Sequence, residues 1–146
     1  VFVNNPPFPV AVLGYGGLVP FVGLAILKIA GIDTLTDEAG RWLMAYGASI
    51  LSFVGALHWG FAMLATKIDR ARRTQCYAWS VVPALIGFLA MVLNSPLSFS
   101  LLIVGFALAY WQDADLANAI DLPAWYPRLR AHLSIVASLC LLSGVF

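Results

Sequence analysis

His58 is the residue best placed for unusual chemistry, because it lies in an apolar run from Trp42 to Leu64, six residues before the end of that run. At the rise of an α-helix this is about 9 Å inside the edge of a membrane span. An imidazole at such depth needs a partner that hydrocarbon cannot supply, which makes it a functional-site candidate; the plainer alternative is a neutral histidine bonded to a neighbouring helix. Pro83 removes an amide donor and frees the carbonyl of Trp79, with Ser80 close by, so its helix is expected to break at nearly the depth of His58. His58 and Ser80 could then line a small polar pocket, or the proline could simply kink the bundle. The other histidine is His132, and no His, Cys or carboxylate residues recur at ligand spacing, so no metal site is assigned. No serine elbow or phosphate loop occurs and no catalytic residue is assigned; Gly14-Tyr15-Gly16-Gly17 sits inside an apolar span with no strand before it, and reads as close-packing glycine.

A second group of polar residues is expected at one membrane face. Tyr110-Trp111 followed by Asp113 and Asp115 reads as an aromatic belt meeting water, and Asp113, Asp115 and Asp121 invite ion pairs with Arg128 and Arg130 near Trp125 and Tyr126. Exposed pairs of this kind contribute only about 0–1 kcal/mol, so a stronger role would require burial under the aromatic rings. Lys67, Arg70, Arg72 and Arg73 form a basic loop that sets topology and offers possible contacts to anionic lipid headgroups. Ala48, Ser52, Ala56 and Gly60 recur every four residues, a helix-packing seam that lets another helix approach closely, widened by Gly47 and Gly55.

The elements that must position these residues are membrane spans. Of the 146 residues, 62% are hydrophobic and 10% charged, against about 25% charged in a soluble domain. The expected fold is all-α, a single integral membrane bundle of five transmembrane helices over about 10–32, 42–64, 77–93, 97–112 and 125–146. Asn94-Ser95-Pro96 is a tight reversal, Asp121-Leu122-Pro123 can open the last helix, and Pro20 frees the carbonyl of Gly16 in the first. A net charge of +1 with scattered basic residues argues against nucleic acid as a partner. Cys76 and Cys140 fall at different depths and are not expected to pair. The chain opens on Val1 rather than Met, so residues before it are expected to have been removed or left out, and no basic stretch precedes the first apolar run. Positive charge concentrates on the N-terminal face, in the 2–3 and 4–5 loops, with Lys28 and Arg41 opposite; the N-terminus and the basic loop are expected on the cytoplasmic or matrix side.

Taken together, Leu13-Gly14-Tyr15-Gly16-Gly17-Leu18-Val19-Pro20-Phe21, Ile50-Leu51-Ser52-Phe53-Val54-Gly55 leading to His58-Trp59-Gly60, Ser80-Val81-Val82-Pro83-Ala84-Leu85, and Pro123-Ala124-Trp125-Tyr126 with Arg128-Leu129-Arg130 carry a resemblance. The chain resembles, over nearly its whole length, the domain-of-unknown-function family 3429, which includes the eukaryotic transmembrane protein 69. Val54-Gly55-Ala56 departs slightly from the two glycines the family tends to have there. The resemblance implies a bacterial or mitochondrial inner membrane and no reaction. It also draws together His58, Trp59, Ser80, Asp113, Trp125, Tyr126 and Arg130 as a polar cluster in the inner half of the bundle.

Three functions follow as expectations. The first is a non-catalytic accessory or assembly subunit of an energy-converting membrane complex, respiratory or photosynthetic, docking on partner subunits through the small-residue seam. The second is a small proton-linked carrier or permease using His58. The third is a module binding quinone, haem or pigment, walled by Trp59, Trp79 and Trp111. Bound lipid is expected, and no cofactor is assigned.

Overall fold

Hydrocarbon satisfies no backbone group, so a chain of this composition must close its hydrogen bonds within helices. The computed structural model describes residues 5–32 and 34–146 and forms α1 (Phe8–Gly16), α2 (Val19–Ile29), α3 (Thr36–Leu64), α4 (Arg70–Leu93), α5 (Pro96–Ala119) and α6 (Trp125–Leu142), with no strand among the described residues. Four stretches are long and apolar enough to cross a membrane: Phe8–Ile29, which is α1 and α2 together, then α3, α4 and α5. α6 carries Arg128, Arg130 and His132 in its first half and packs against α5 as the fifth rod. The bundle is apolar outside as well as inside: Phe53, Leu85, Phe88, Val104 and Leu139 all project outward, a surface suited to lipid.

Several boundaries differ from the hydropathy reading, each for a local reason. The first span is two helices, interrupted at Gly17-Leu18, and the hydroxyl of Tyr46 donates to the carbonyl of Gly17 at 2.8 Å. The carbonyl served at this break is therefore that of Gly17, one residue beyond the one Pro20 was expected to free. α3 begins at Thr36, with Asp37 and Glu38 in its first turn, where acidic side chains complement the helix dipole. α4 begins at Arg70, so three of the four basic loop residues are helical and only Lys67 remains in the connection; Asp69 caps this helix by accepting from the Arg72 amide at 2.7 Å. α5 runs two turns beyond Trp111, because Asp121 at φ 53° and a Leu122 amide donating to the Ala117 carbonyl at 3.2 Å close it in a Schellman motif. Asp121 thus ends α5 instead of opening α6. The 94–96 reversal is as tight as expected, with Asn94 at φ 41° capping α4 and the Ser95 amide donating to the Ser98 hydroxyl at 3.2 Å.

α4 also passes through Pro83 without interruption, which corrects the expected break. The ring is received by Gly55 of α3: a Cβ there would stand 2.9 Å from Pro83 Cγ and 2.8 Å from the Ser80 carbonyl oxygen. Gly87 repeats this one level along, where a Cβ would come within 3.0 Å of the Ala48 carbonyl oxygen. The seam inside the chain therefore runs through Ala48 and Gly55 against Pro83 and Gly87. Ala56 and Gly60, expected in the same seam, lie on the exposed side of α3, with open space around Gly60. Cys76 and Cys140 are free thiols.

Because backbone stands where the new side chain would go, Gly55→Val should destabilise the detergent-solubilised protein by about 1–3 kcal/mol or more. Gly60→Val should leave thermal stability in the same detergent unchanged. Equal melting of the two variants would contradict the α3–α4 contact described here.

Candidate functional site

His58 lies six residues from the end of α3, Asp113 six from the end of α5, and Arg130 five residues into α6. All three therefore stand about 7–9 Å from the same end of the bundle. They meet there, with relative exposures of 0% for His58, 1% for Asp113 and 6% for Arg130. Arg130 Nε donates to Asp113 Oδ2 at 2.6 Å. His58 Nε2 approaches the other carboxylate oxygen, Oδ1, at 3.3 Å, within ion-pair distance but without the alignment of a hydrogen bond. One carboxylate and one guanidinium cancel, and a neutral imidazole adds no charge, so the three can share a low-dielectric site that none could occupy alone.

The surroundings are aromatic and incompletely satisfied. Phe61 meets the edge of both His58 and Tyr126, with ring centroids 6.4 and 5.6 Å away, and Trp125 lies against Tyr126 at 6.2 Å. The Tyr126 phenol stands beside the Asp113 and Arg130 charges. Among the described residues, both ring nitrogens of His58, Asp113 Oδ1, Gln112 Nε2, Trp79 Nε1 and the Ser134 hydroxyl are buried with no aligned hydrogen-bond partner, while the Tyr126 hydroxyl lies within hydrogen-bonding reach of the Arg130 guanidinium. Buried polar atoms are rarely left unpaired, so the unaligned atoms of His58 and Asp113 beside the charged pair single out this locus.

Arg130 also lines an apolar pocket of about 380 Å³, walled by Leu13 and Gly14 of α1, Phe53 and Leu57 of α3 and Leu133 of α6. Leu13 and Phe53 are outward-facing, so the mouth opens on the surface that lipid would cover. α1 forms one wall with no buried residue of its own and is fastened to α6 by a 3.2 Å hydrogen bond between the Tyr15 hydroxyl and His132 Nδ1. Among the described residues, no three His, Cys, Asp or Glu side chains gather closely enough to hold a metal ion.

The structure thus brings together His58, Asp113, Arg130 and Tyr126 from the expected cluster, with Trp125 at its margin. Asp113 is not at the water boundary, as its place after Tyr110-Trp111 suggested; α5 continues past it and buries it. Ser80 is not the partner of His58, since its hydroxyl donates to the Tyr77 carbonyl at 2.6 Å. Trp59 points outward and lies against Tyr77 at 5.0 Å. Trp59, Trp79 and Trp111, the expected pocket walls, do not line the apolar pocket. Gln112 and Ser134 were missed, although each falls on a buried helical stripe: Ala109, Gln112, Asp113 and Leu116 on α5, and Arg130, Ser134, Ala137 and Leu141 on α6.

Of the expected acidic–basic pairs at this end of the bundle, Asp113 with Arg130 is formed, whereas the other two aspartates take other partners. Asp115 pairs with Arg72 and Asp121 with Lys67, joining the α5 end to the α4 start. Arg73 donates to the Ala65 carbonyl at 2.8 Å. These contacts offset the unfavourable placing of three arginines in the first turn of a helix. The hydrogen bond and charge of Lys67 hold the Asp121 carboxyl below its ordinary value, and Asp121 raises the Lys67 ammonium in the same way.

An all-helical membrane bundle with a buried His–Asp–Arg cluster beneath a lipid-facing pocket is the class that this fold and site define. The chain belongs to the family described as protein of unknown function DUF3429, whose model matches residues 6–146. It is similar to transmembrane protein 69 of Xenopus tropicalis, with 34% identity over 98% of this chain and 56% of the relative. It is also similar to transmembrane protein 69 of Mus musculus, with 26% identity over 93% of this chain and 55% of the relative. The chain spans about half the length of these relatives. No solved structure matches it.

Asp113→Asn leaves Arg130 buried without its counter-charge and should cost about 3–5 kcal/mol in denaturant unfolding from mixed micelles. The double variant Asp113→Asn/Arg130→Met should lose markedly less, and additive losses would contradict a coupled pair. At the exposed end, the Asp121 carboxyl should titrate below its ordinary value and rise toward it in Lys67→Met, as followed by NMR. Its contribution is present above the ordinary carboxylate value and lost as pH falls through the lowered one. The lysine side is present below the ordinary ammonium value and lost as pH rises through the raised one.

Proposed function

We propose that this chain is a non-catalytic binding module that takes a small amphipathic molecule from the bilayer into the pocket between α1, α3 and α6. The observation that carries this reading is Arg130: its Nε is held by Asp113, and its side chain lines an otherwise apolar pocket. Binding sites of this kind combine an apolar wall with a few oriented polar groups. The lining offers no nucleophile or metal-ligating group, which supports binding without chemistry. The excess of Lys and Arg near the N-terminal end of the bundle supports an orientation with that end facing the cytoplasm or matrix of an inner membrane.

A second reading, an accessory or assembly subunit of an energy-converting complex, is favoured by the small residues Ala56 and Gly60 that α3 leaves uncovered. Close helix approach uses such positions. The two sites adjoin on α3, since Phe53 and Leu57 of the pocket and the exposed Ala56 and Gly60 share one helical stripe.

Gly14→Leu fills the pocket from α1, where an added Cβ would stand 3.5 Å from Leu133 Cδ1, without replacing any residue of the charged cluster. Native mass spectrometry from mild detergent should show the wild-type chain retaining a small amphipath that Gly14→Leu does not. Equal occupancy in the two proteins would contradict the binding reading. For the second reading, Gly60→Phe should abolish co-purification of any membrane partner, and unchanged co-purification would count against it.

A further inference from the structure

At the end of the bundle opposite the basic loop, we infer a site for a phospholipid whose compact headgroup carries both a phosphate and a primary ammonium, as an ethanolamine lipid does. It is separate from the pocket beside Arg130 and does not rest on the binding reading above. At this end α2 stops at Ile29, α3 starts at Thr36, α4 stops at Leu93, α5 starts at Pro96 and α6 stops at Leu142. Helix ends gathered in this way mark the depth at which a spanning bundle meets headgroups. Two clefts open there. One, of about 170 Å³, is lined on its polar side by Lys28, Thr36, Asp37, Arg41, Asn94 and Ser95. The other, of about 520 Å³, is walled chiefly by Ile29, Leu139 and Leu142. Lys28 and Thr36 line both, so a small polar cleft adjoins a larger, more apolar one.

The polar cleft is built around Lys28. Its stem lies across α3, where a Cβ added at Gly40 would stand 3.6 Å from Lys28 Cδ and 3.7 Å from Cε. The side chain is half-buried, and no carboxylate among the described residues comes within ion-pair distance of its ammonium. The first residues of α3 and α5 line the same cleft, and α5 carries no acidic residue in its first turn. Helix N-termini of this kind favour an anion. Arg41 adds a second cation, held only loosely by Glu38 at 3.8 Å between exposed side chains. A phosphate is the group that these donors fit.

Asp37 selects the rest of the head. It lines the cleft, is exposed, and has no cation within ion-pair distance among the described residues, since Arg41 faces Glu38. A purely anionic head would set its charge against this carboxylate, and a choline head brings a methylated nitrogen with no N–H to donate. A primary ammonium meets Asp37 with charge-assisted hydrogen bonds while its phosphate meets Lys28. The acyl chains then pass over Ile29, Leu139 and Leu142, all outward-facing, and continue into the bilayer. Head and chain thus each have a cleft.

The test uses the full chain in mild detergent, with native mass spectrometry reading the lipid retained after exchange against equal amounts of dioleoyl phosphatidylethanolamine, phosphatidylcholine and phosphatidylglycerol. The ethanolamine lipid should be retained in preference to both others, and soluble glycerophosphoethanolamine should not displace it. Lys28→Gln should weaken its retention by about tenfold or more, as loss of one charge-assisted hydrogen bond implies. Asp37→Asn should keep a bound phospholipid but erase the preference for the ethanolamine head. Gly14→Leu, which fills the other pocket, should leave that preference unchanged. Phosphatidylglycerol retained as well as or better than the ethanolamine lipid, or a preference that survives Asp37→Asn, would overturn the two-signed head. Retention unchanged in Lys28→Gln, preference lost in Gly14→Leu, or displacement by the soluble head would overturn the site itself.

Discussion

A carboxylate and a guanidinium buried together at a membrane depth of several ångströms constrain every element around them. A lone charge of either Asp113 or Arg130 is costly to bury in hydrocarbon, and each is carried by a helix that must remain beside the other for the pair to exist. α5 and α6 are therefore linked at this level. His58 brings α3 to the same point through the second carboxylate oxygen. Replacing such a pair with apolar side chains is often neutral or stabilising, so its presence inside a lipid-facing bundle points to a use beyond holding helices together.

The helices themselves are held by closeness of backbone, as expected where lipid tails compete equally for every leucine. Gly55 receives Pro83, and Gly87 receives Ala48. These contacts bring α3 and α4 close, while other sides of α3 pack on α2 and α5 and only lightly on α6. The interruption at Gly17-Leu18 makes α1 a short separate rod that rests on α6 through Tyr15 and His132. The pocket results from that light packing on one side and the tight α3–α4 seam on the other. Arg130 joins it to the charged cluster, since its side chain both pairs with Asp113 and lines the apolar wall.

Hydropathy made the rods legible, because the cost of unpaired backbone in lipid and the length of a span are properties of composition. It misplaced their ends wherever a helix continued through polar residues. Asp113 is the clearest case: following Tyr110-Trp111, an aspartate reads as water, yet the buried positions of α5 continue with helical spacing from Leu102, Gly105 and Ala109 to Asp113 and Leu116. That period was present in the sequence and would have placed the carboxylate inside. His58 was recognisable from its depth alone. Its partner was not, because pairing across α3, α5 and α6 depends on how the helices rotate about their own axes, and hydrophobicity that runs all round a helix does not fix rotation. Pro83 misled for a related reason, since the glycine that accommodates its ring lies on another helix.

The central claim is that Asp113 is ionised and bonded to Arg130 within the bilayer. Solid-state NMR of the isotopically labelled chain in lipid bilayers measures this directly. The account predicts a carboxylate chemical shift for Asp113 together with a strong carbon–nitrogen dipolar coupling between its Cγ and Arg130 Nε. A protonated Asp113, or the absence of that coupling in a folded sample, would contradict it.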